Sequence, residues 1–201
     1  NPLNVLQLTE NAKQCGADAS LIVTPFYVKP PQRALIRHFN TIADKVDLPM
    51  ILYNCPGRTG VDMDIDTISK LSRHQNIVGV KDASGDLKRA SDLRLLCEEY
   101  FLLYGGDDDI GCDFVLNGGD GVISVTANVF PKLESQMLKY AKLGYIENAQ
   151  KINSELMPLH KSLFLESNPI PVKRALNIIG KIESGIRPPL THLDAKHYIK
   201  L

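Results

Sequence analysis

The sequence predicts an α/β protein built on a parallel β-sheet, and two observations support that prediction. Five short runs are rich in β-branched or aromatic residues and are bounded by Gly, Pro, Asn or Asp, which is typical of strands buried on both faces. The runs end 21 to 29 residues apart, enough for a helix between neighbouring strands, so we expect parallel βα units. The five runs are Ser20–Thr24, Met50–Tyr53, Ile77–Lys81, Phe101–Tyr104 and Val122–Val125.

Helical periodicity fills the segments between and after these runs. Leu35, Phe39, Ile42 and Val46 are spaced to form one apolar helical face. The predicted helices between the strands are Arg33–Val46, Asp66–Arg73, Leu87–Glu99 and Ile110–Leu116. After the fifth strand the pattern is wholly helical, with predicted helices Lys132–Leu143, Ile146–Leu165, Pro171–Ile179 and Leu193–Lys200. We see no linker or repeat, so we expect one domain in which residues 1–130 form five βα units and residues 131–201 a helical extension.

Five parallel strands are compatible with two architectures. One is an open doubly wound sheet, and the other is an eight-stranded barrel that lacks three strands. The open sheet normally carries a glycine-rich phosphate turn after an early strand. The turn after Thr24 is instead Pro25-Phe26-Tyr27. The strand pattern alone leaves both architectures open.

Composition excludes several classes of partner. The chain has 23 basic and 23 acidic residues, so its balanced charge gives no general attraction to nucleic acid or to an anionic membrane. No apolar run is long enough for a membrane span, and no signal peptide precedes the first helix. The four cysteines and five histidines are scattered, without CxxC or metal-ligand spacing. We therefore expect reduced thiols, a cytoplasmic protein, no metal, no nucleic acid and no membrane.

The chain begins with Asn1-Pro2, which is typical of a helix N-cap followed by proline at the first helical position. It has no initiator methionine. A chain that opens directly on a helix cap is expected to have lost an N-terminal portion.

Lys81 is the unusual residue among those that end the strands. Function in parallel βα folds gathers at the carboxyl ends of the strands. An ammonium group at the end of the apolar run Ile77–Val80 is partly desolvated, which lowers its pKa and yields free amine that can attack a keto group. A lysine that extends its ammonium group to solvent is the alternative interpretation, and the strand pattern does not decide between them.

Other polar or flexible residues follow the neighbouring strands. Tyr53 ends the preceding strand and could transfer protons, although a tyrosine at the rim of the core is common. Arg58, in a Pro-Gly-Arg-Thr-Gly turn, could bind a carboxylate at two points or simply be solvated. Gly106, in a Gly-Gly pair, permits close approach of the backbone to a ligand, and amides near Ile123 could bind a carboxylate; Gly-Gly is also an ordinary turn.

Taken together, five segments resemble the dihydrodipicolinate synthase family, within the pyruvate-dependent class I aldolase superfamily of (β/α)8 barrels. Their order and spacing also resemble that family throughout the chain. The segments are TPFYVKPPQ, ILYNCPGRTG, NIVGVKDASGD, GGDDDIGCDFVLNGGDGVISVTANV and NPIPVKRAL. The resemblance implies a (β/α)8 TIM barrel that lacks its first three strands in this chain and continues into a C-terminal helical extension.

The resemblance also implies a role for each candidate residue. Lys81 matches the lysine that forms the Schiff base, and Tyr53 matches the tyrosine of the proton relay. Tyr27 matches a tyrosine that reaches across a tight dimer interface into the partner's site, and Arg58 matches the arginine that receives the carboxylate of aspartate semialdehyde. Positions around the pyruvate carboxylate are matched by two further residues, Gly106 and Ile123.

The implied reaction condenses pyruvate with L-aspartate-4-semialdehyde to 4-hydroxy-tetrahydrodipicolinate, in lysine and diaminopimelate biosynthesis. The resemblance implies no metal or organic cofactor, and a homo-oligomer that is a tetramer, arranged as a dimer of dimers. A Gly-Thr-Thr-Gly-Glu turn in which family members bind the pyruvate carboxylate does not occur in this sequence. Two alternatives therefore stay open: a sister pyruvate aldolase similar to N-acetylneuraminate lyase, which Arg58 disfavours, and a truncated chain without catalytic activity.

Overall fold

The predicted parallel sheet is confirmed in a computed structural model, which describes residues 2–199. Five strands follow one another in chain order, and every neighbouring pair is parallel. Within the described residues, the first and last strands each pair on one side only. The strands are β1 (Ser20–Val23), β2 (Met50–Asn54), β3 (Ile77–Asp82), β4 (Leu102–Gly105) and β5 (Gly121–Val122).

The fifth strand is shorter than predicted. Only Gly121 and Val122 pair with β4, although the apolar run continues to Val125. The amides of Val125 and Thr126 donate to the carboxylate of Asp108 instead of to a neighbouring strand. The chain therefore leaves the sheet early and makes a 3₁₀ turn at Thr126–Asn128.

Nine α-helices lie within residues 2–199. They are α1 (Pro2–Gln14), α2 (Gln32–Lys45), α3 (Pro56–Thr59), α4 (Ile65–Leu71), α5 (Lys88–Leu96), α6 (Gly111–Leu116), α7 (Pro131–Lys142), α8 (Ile146–Ser162) and α9 (Ile170–Ile178). The predicted apolar face of α2 is confirmed, because Leu35, Phe39 and Ile42 are fully buried. The first helix begins at Pro2, while its predicted cap, Asn1, lies outside the described residues. No helix in this part of the chain is long and apolar enough to cross a membrane.

The prediction of a last helix at Leu193–Lys200 is wrong for the described residues. A single 3₁₀ turn, Ala195–His197, forms there, and Lys200 is not described. Leu193 is the one buried apolar residue of this segment, so the segment offers no apolar face that packing could hold as a helix. The division of the chain at residue 130 stays a prediction, although α7 begins at Pro131.

The largest apolar cluster packs β2, β3 and β4 against α2, α4 and α5. Phe39, Leu52, Ile68, Leu93 and Leu103 are all fully buried there. Complete burial of one such side chain contributes about 1.5–3 kcal/mol. This packing fixes the three central strands, and the residues at their carboxyl ends are positioned by it.

A second cluster, between α6, α7 and α8, contains a buried acid. Glu134 lies in the first turn of α7, is 2% exposed, and neither carboxyl oxygen has a hydrogen-bond partner among the described residues. Burial raises its pKa to about 7, and the negative charge of Asp108 acts in the same direction. The nearby Ser124 hydroxyl favours the ionised form, without the geometry of a hydrogen bond.

Glu134→Gln is expected to increase the free energy of unfolding in a pH-dependent way. Below the ordinary pKa of 4.5, folded and unfolded states both carry the proton; between 4.5 and about 7 only the folded state keeps it, so the stability of the wild-type protein falls as pH rises. The increase in the free energy of unfolding caused by Glu134→Gln should therefore grow as pH rises through this range, to at most about 3 kcal/mol. Urea unfolding at several pH values measures it.

Glu147→Gln is the matched control, because Glu147 lies in the first turn of α8 and is exposed. That substitution should leave the pH dependence of the wild-type protein unchanged. An equal effect of Glu134→Gln at low and at neutral pH would contradict the interpretation.

Candidate active site

The strand register brings Lys81 between two tyrosines. Tyr53 of β2 pairs in register with Lys81 of β3, and Lys81 pairs with Tyr104 of β4. The Lys81 Nζ atom lies 4.3 Å from the centre of the Tyr53 ring. Residues in register on neighbouring strands point to the same face of a sheet. The two residues proposed for the Schiff base and the proton relay are therefore in direct contact.

Desolvation dominates the electrostatics of Lys81. The side chain is half-buried, and burial lowers its pKa. Cys55, Asp107 and Asp108 oppose this effect, whereas the positive charge of Arg58 adds to it. A larger fraction of free amine is consequently present than for a solvated lysine.

The same environment has the opposite effect on the pKa of Tyr53, because for a phenol the neutral form is the protonated one. Burial raises the pKa of Tyr53 to about 12, and contact with Cys55 contributes. The phenol therefore keeps its proton at neutral pH and can donate it to a departing oxygen.

Gly106 lies against Lys81, while the approach of its backbone to a ligand stays a prediction. A Cβ atom at Gly106 would lie 2.7 Å from Ala83 Cβ and 3.0 Å from Lys81 Cε. Any side chain at this position would therefore displace the lysine. The need for glycine here is steric and does not depend on a positive φ angle.

Several of the amides near Ile123 that the sequence suggested for binding a carboxylate have partners within the chain. The Ile123 amide donates to the Gly105 carbonyl at 2.9 Å, and the Gly106 amide donates to the Asp82 carbonyl at 2.7 Å. The amides of Val125 and Thr126 donate to Asp108. The first two hydrogen bonds extend the strand pairing, whereas those to Asp108 hold the segment that leaves the sheet. Placement of Gly106 and Ile123 beside pyruvate stays a prediction.

Arg58 lies at the end of the one-turn helix α3, where the sequence suggested only a turn. Its side chain is exposed, and Nη2 donates to the Asn168 carbonyl at 3.4 Å. That contact places the guanidinium beside the segment Asn168-Pro169-Ile170 that leads into α9. Its positive charge acts to lower the pKa values of both Tyr53 and Lys81.

Tyr27 is not brought to Lys81 within this chain. It lies in the loop after β1 with a positive φ of 72°, and 90% of its surface is exposed. Its neighbours Phe26 and Val28 are 66% and 72% exposed. Three consecutive exposed apolar residues are the arrangement expected of a contact with another molecule.

Sequence reasoning missed the polar network that supports the two central residues. Asn54 and Asp82 directly follow Tyr53 and Lys81 and are buried on the other face of the sheet. Asp82 Oδ2 accepts from Asn54 Nδ2 at 3.2 Å and from Arg89 Nε at 3.0 Å. Arg89 Nη2 also donates to the Met63 carbonyl at 2.7 Å. Polar residues at buried strand positions were the signal that could have revealed this network.

Cys55 is a second residue that the sequence did not single out. It is buried directly after β2, and its contact with Tyr53 helps to raise the pKa of the phenol. All four cysteines are free thiols. No group of three or more His, Cys, Asp or Glu side chains in residues 2–199 could hold a metal ion.

Comparison with known proteins identifies the family. The profile of the Dihydrodipicolinate synthetase family matches residues 3–201. The chain belongs to this family. It is 53% identical over 190 residues to the 4-hydroxy-tetrahydrodipicolinate synthase of Methylococcus capsulatus, covering 94% of this chain and 65% of that protein. It is 52% identical to the synthase of Alcanivorax borkumensis, covering 96% of this chain and 66% of that protein.

Solved structures of the family share the fold. The chain aligns with the chloride-inhibited dihydrodipicolinate synthase of Acinetobacter baumannii, complexed with pyruvate, at a TM-score of 0.96 and 46% identity. It aligns with the enzyme of Aquifex aeolicus at 0.95 and 39% identity. Each alignment covers 98% of this chain and 68% of the other. The sheet is thus five consecutive strands of the family's TIM barrel, which excludes the open doubly wound alternative.

Proposed function

We propose that the protein is a Schiff-base synthase that condenses pyruvate with L-aspartate-4-semialdehyde. The observation that carries the proposal is the contact between a half-buried Lys81 and the ring of Tyr53, at the carboxyl ends of β3 and β2. The relatives named 4-hydroxy-tetrahydrodipicolinate synthase and the pyruvate complex of the Acinetobacter baumannii enzyme support it. The chain spans about 65% of the length of these curated relatives, so the activity is proposed for the natural protein. Its place is the cytoplasm, in the biosynthesis of lysine and diaminopimelate.

The first stage joins pyruvate to the chain. The free amine of Lys81 attacks the keto carbon of pyruvate, and Tyr53 delivers a proton to the oxygen, which leaves as water. Loss of a methyl proton from the resulting protonated imine gives a neutral enamine. Desolvation serves both partners in this step, because it favours an unprotonated amine and a protonated phenol.

The second stage makes the carbon–carbon bond. The enamine carbon attacks the aldehyde carbon of the semialdehyde, whose oxygen takes up a proton. The amino group of the same substrate then attacks the imine carbon, which closes the ring and releases the Lys81 amine. Arg58 holds the substrate's carboxylate through guanidinium donors that the contact with Asn168 leaves available. The product is 4-hydroxy-tetrahydrodipicolinate, with one water released overall.

Incubation of the natural protein with pyruvate and borohydride is expected to fix a reduced three-carbon adduct on the peptide that contains Lys81. Lys81→Ala should abolish the adduct, because no other lysine lies at the end of a buried strand within the described residues. Peptide mass spectrometry locates it. Lys88→Ala is the matched control, since Lys88 is exposed and pairs only with Asp92. An adduct on a peptide without Lys81 would show that the assignment is wrong.

Arg58→Ala is expected to raise the KM for the semialdehyde and to lower kcat/KM by a factor equivalent to about 2–3 kcal/mol, the contribution of a hydrogen bond to a charged group. Pyruvate trapping at Lys81 should persist, because the first stage does not use Arg58. Arg73→Ala, at an exposed arginine after α4, is the control. Unchanged semialdehyde kinetics would rule out Arg58 as the residue that receives the carboxylate.

We propose further that the protein is a homo-oligomer, a dimer of dimers, in which Tyr27 completes the site of a partner. The exposure of Tyr27 and its two neighbours supports this. One structural relative is described as a monomeric dihydrodipicolinate synthase variant, so assembly has to be measured for this protein itself. Tyr27→Ala should weaken the dimer in light scattering, whereas Tyr100→Ala, at another exposed tyrosine, should not. A natural protein that is monomeric would contradict this assignment.

A further inference from the structure

Asp108 is a buried carboxylate that the proposed chemistry does not use. It lies two residues after Gly106, in the 3₁₀ turn Asp108–Ile110 between β4 and α6, and is 1% exposed. A carboxylate buried this deeply is retained only where hydrogen bonds compensate the lost hydration. Its partners therefore show what it holds in place.

Among the described residues, all the hydrogen bonds to the Asp108 carboxylate come from the segment that follows β5, and its Oδ1 atom is buried without a partner. Its Oδ2 atom accepts from the Val125 amide at 3.0 Å, from the Thr126 amide at 2.8 Å and from Thr126 Oγ1 at 3.1 Å. Strand β5 itself pairs with β4 over only two residues. The carboxylate thus accepts the hydrogen bonds of this segment where strand pairing ends, and it holds the segment after β5 against the end of β4.

His160 of α8 extends this connection to the outer helices. Its Nδ1 atom lies 2.7 Å from Thr126 Oγ1. Thr126 has a single hydroxyl hydrogen; in the tautomer where His160 carries its hydrogen on Nδ1, the histidine donates to Thr126 Oγ1 and the hydroxyl donates to Asp108. Burial lowers the pKa of His160, which fits a neutral ring. The chain Asp108–Thr126–His160 therefore joins β4, the segment after β5 and α8.

Asp108 is joined to the surroundings of Lys81 through Gly106, two residues earlier, where a Cβ atom would lie 3.0 Å from Lys81 Cε. Its charge raises the pKa of Lys81, together with Cys55 and Asp107, against burial and Arg58. The groups that face Asp108 itself are its neighbours Asp107 and Asp109, His160 of α8 and Glu134 of α7.

We propose that Asp108 is a positioning residue, which clamps the segment after β5 to the end of β4 and supplies a negative charge to the surroundings of Lys81. It touches neither substrate, and it acts through Gly106, Ile123 and Lys81. The proposal rests on the proposed function for its effect on catalysis, while the clamp itself is independent of that function.

Two substitutions separate the clamp from the charge. Asp108→Asn keeps the shape and one acceptor oxygen but removes the charge, so the pH profile of pyruvate trapping at Lys81 should move to lower pH. Thr126→Val keeps the charge but removes the hydroxyl that links Asp108 to His160. It should raise the pyruvate concentration needed for half-maximal trapping about tenfold, the loss expected for one buried hydrogen bond, without moving the pH profile. Asp109→Asn, at the exposed neighbouring acid, is the control and should change neither quantity.

Hydrogen exchange tests the clamp even without turnover. The amides of Val125 and Thr126 should exchange at least about tenfold faster in Asp108→Ala than in the wild-type protein, because their acceptor is gone. Unchanged exchange in a folded Asp108→Ala protein would overturn the clamp. A pH profile that Asp108→Asn leaves in place, or that Asp109→Asn moves equally, would overturn the electrostatic part. If the wild-type protein forms no pyruvate adduct, the proposed function fails, and the exchange measurement still decides on the clamp.

Discussion

The buried ion pair between Arg89 and Asp82 is the interaction on which the arrangement of the site depends. Arg89 and Asp82 are 7% and 5% exposed, and their atoms Nε and Oδ2 lie 3.0 Å apart. Asn54 joins the pair from β2, so the network spans the ends of two strands. Since successive side chains of a strand alternate between its faces, fixing Asn54 and Asp82 on one face fixes Tyr53 and Lys81 on the other. Removing Arg89 would leave Asp82 buried without its cationic partner, at a cost of about 3–5 kcal/mol. Arg89 itself also lies 3.7 Å from Asp62 and would keep that contact without Asp82.

One physical cause prepares both central residues for imine chemistry. Loss of hydration disfavours whichever form of a group is charged. For Lys81 that form is the ammonium, and for Tyr53 it is the phenolate, so the same half-buried position yields a nucleophilic amine and a proton donor. No dedicated general base has to be placed beside the lysine. The acids around it, Asp107 and Asp108, limit the effect, and they keep the amine from becoming permanently neutral.

Much of the fold could be predicted from the sequence, because its central part follows simple periodicities. The four longer strands and the apolar face of α2 agree with the predicted runs, since the spacing of apolar residues within each segment determines which of them are buried. The end of β5 and the last predicted helix could not be predicted in this way. Val125 leaves the sheet because of a carboxylate seventeen residues earlier, and the segment around Leu193 lacks an apolar face. The first outcome depends on a contact between distant parts of the chain, and the second on how little of the segment is buried by packing; periodicity contains neither.

The site shows a similar division, and its cause lies in the geometry of strand ends. The carboxyl ends of the strands carry polar residues in adjacent pairs, such as Tyr53-Asn54 and Lys81-Asp82. A list of strand-end residues does not say which member of a pair faces substrate and which faces the helices. Resemblance to a family indicates the residues that face substrate, because catalytic roles define the family. Residues such as Asp82 and Asp108 are recognised only from the side chains and amides that they bind. Alternation along each strand supplies the missing assignment, because Asp82 must point to the helices once Lys81 is placed on the side of the site. A carboxylate buried there requires a cation, and Arg89 provides it. The supporting network is therefore deducible from the proposed catalytic residues Tyr53 and Lys81, one position further along each strand.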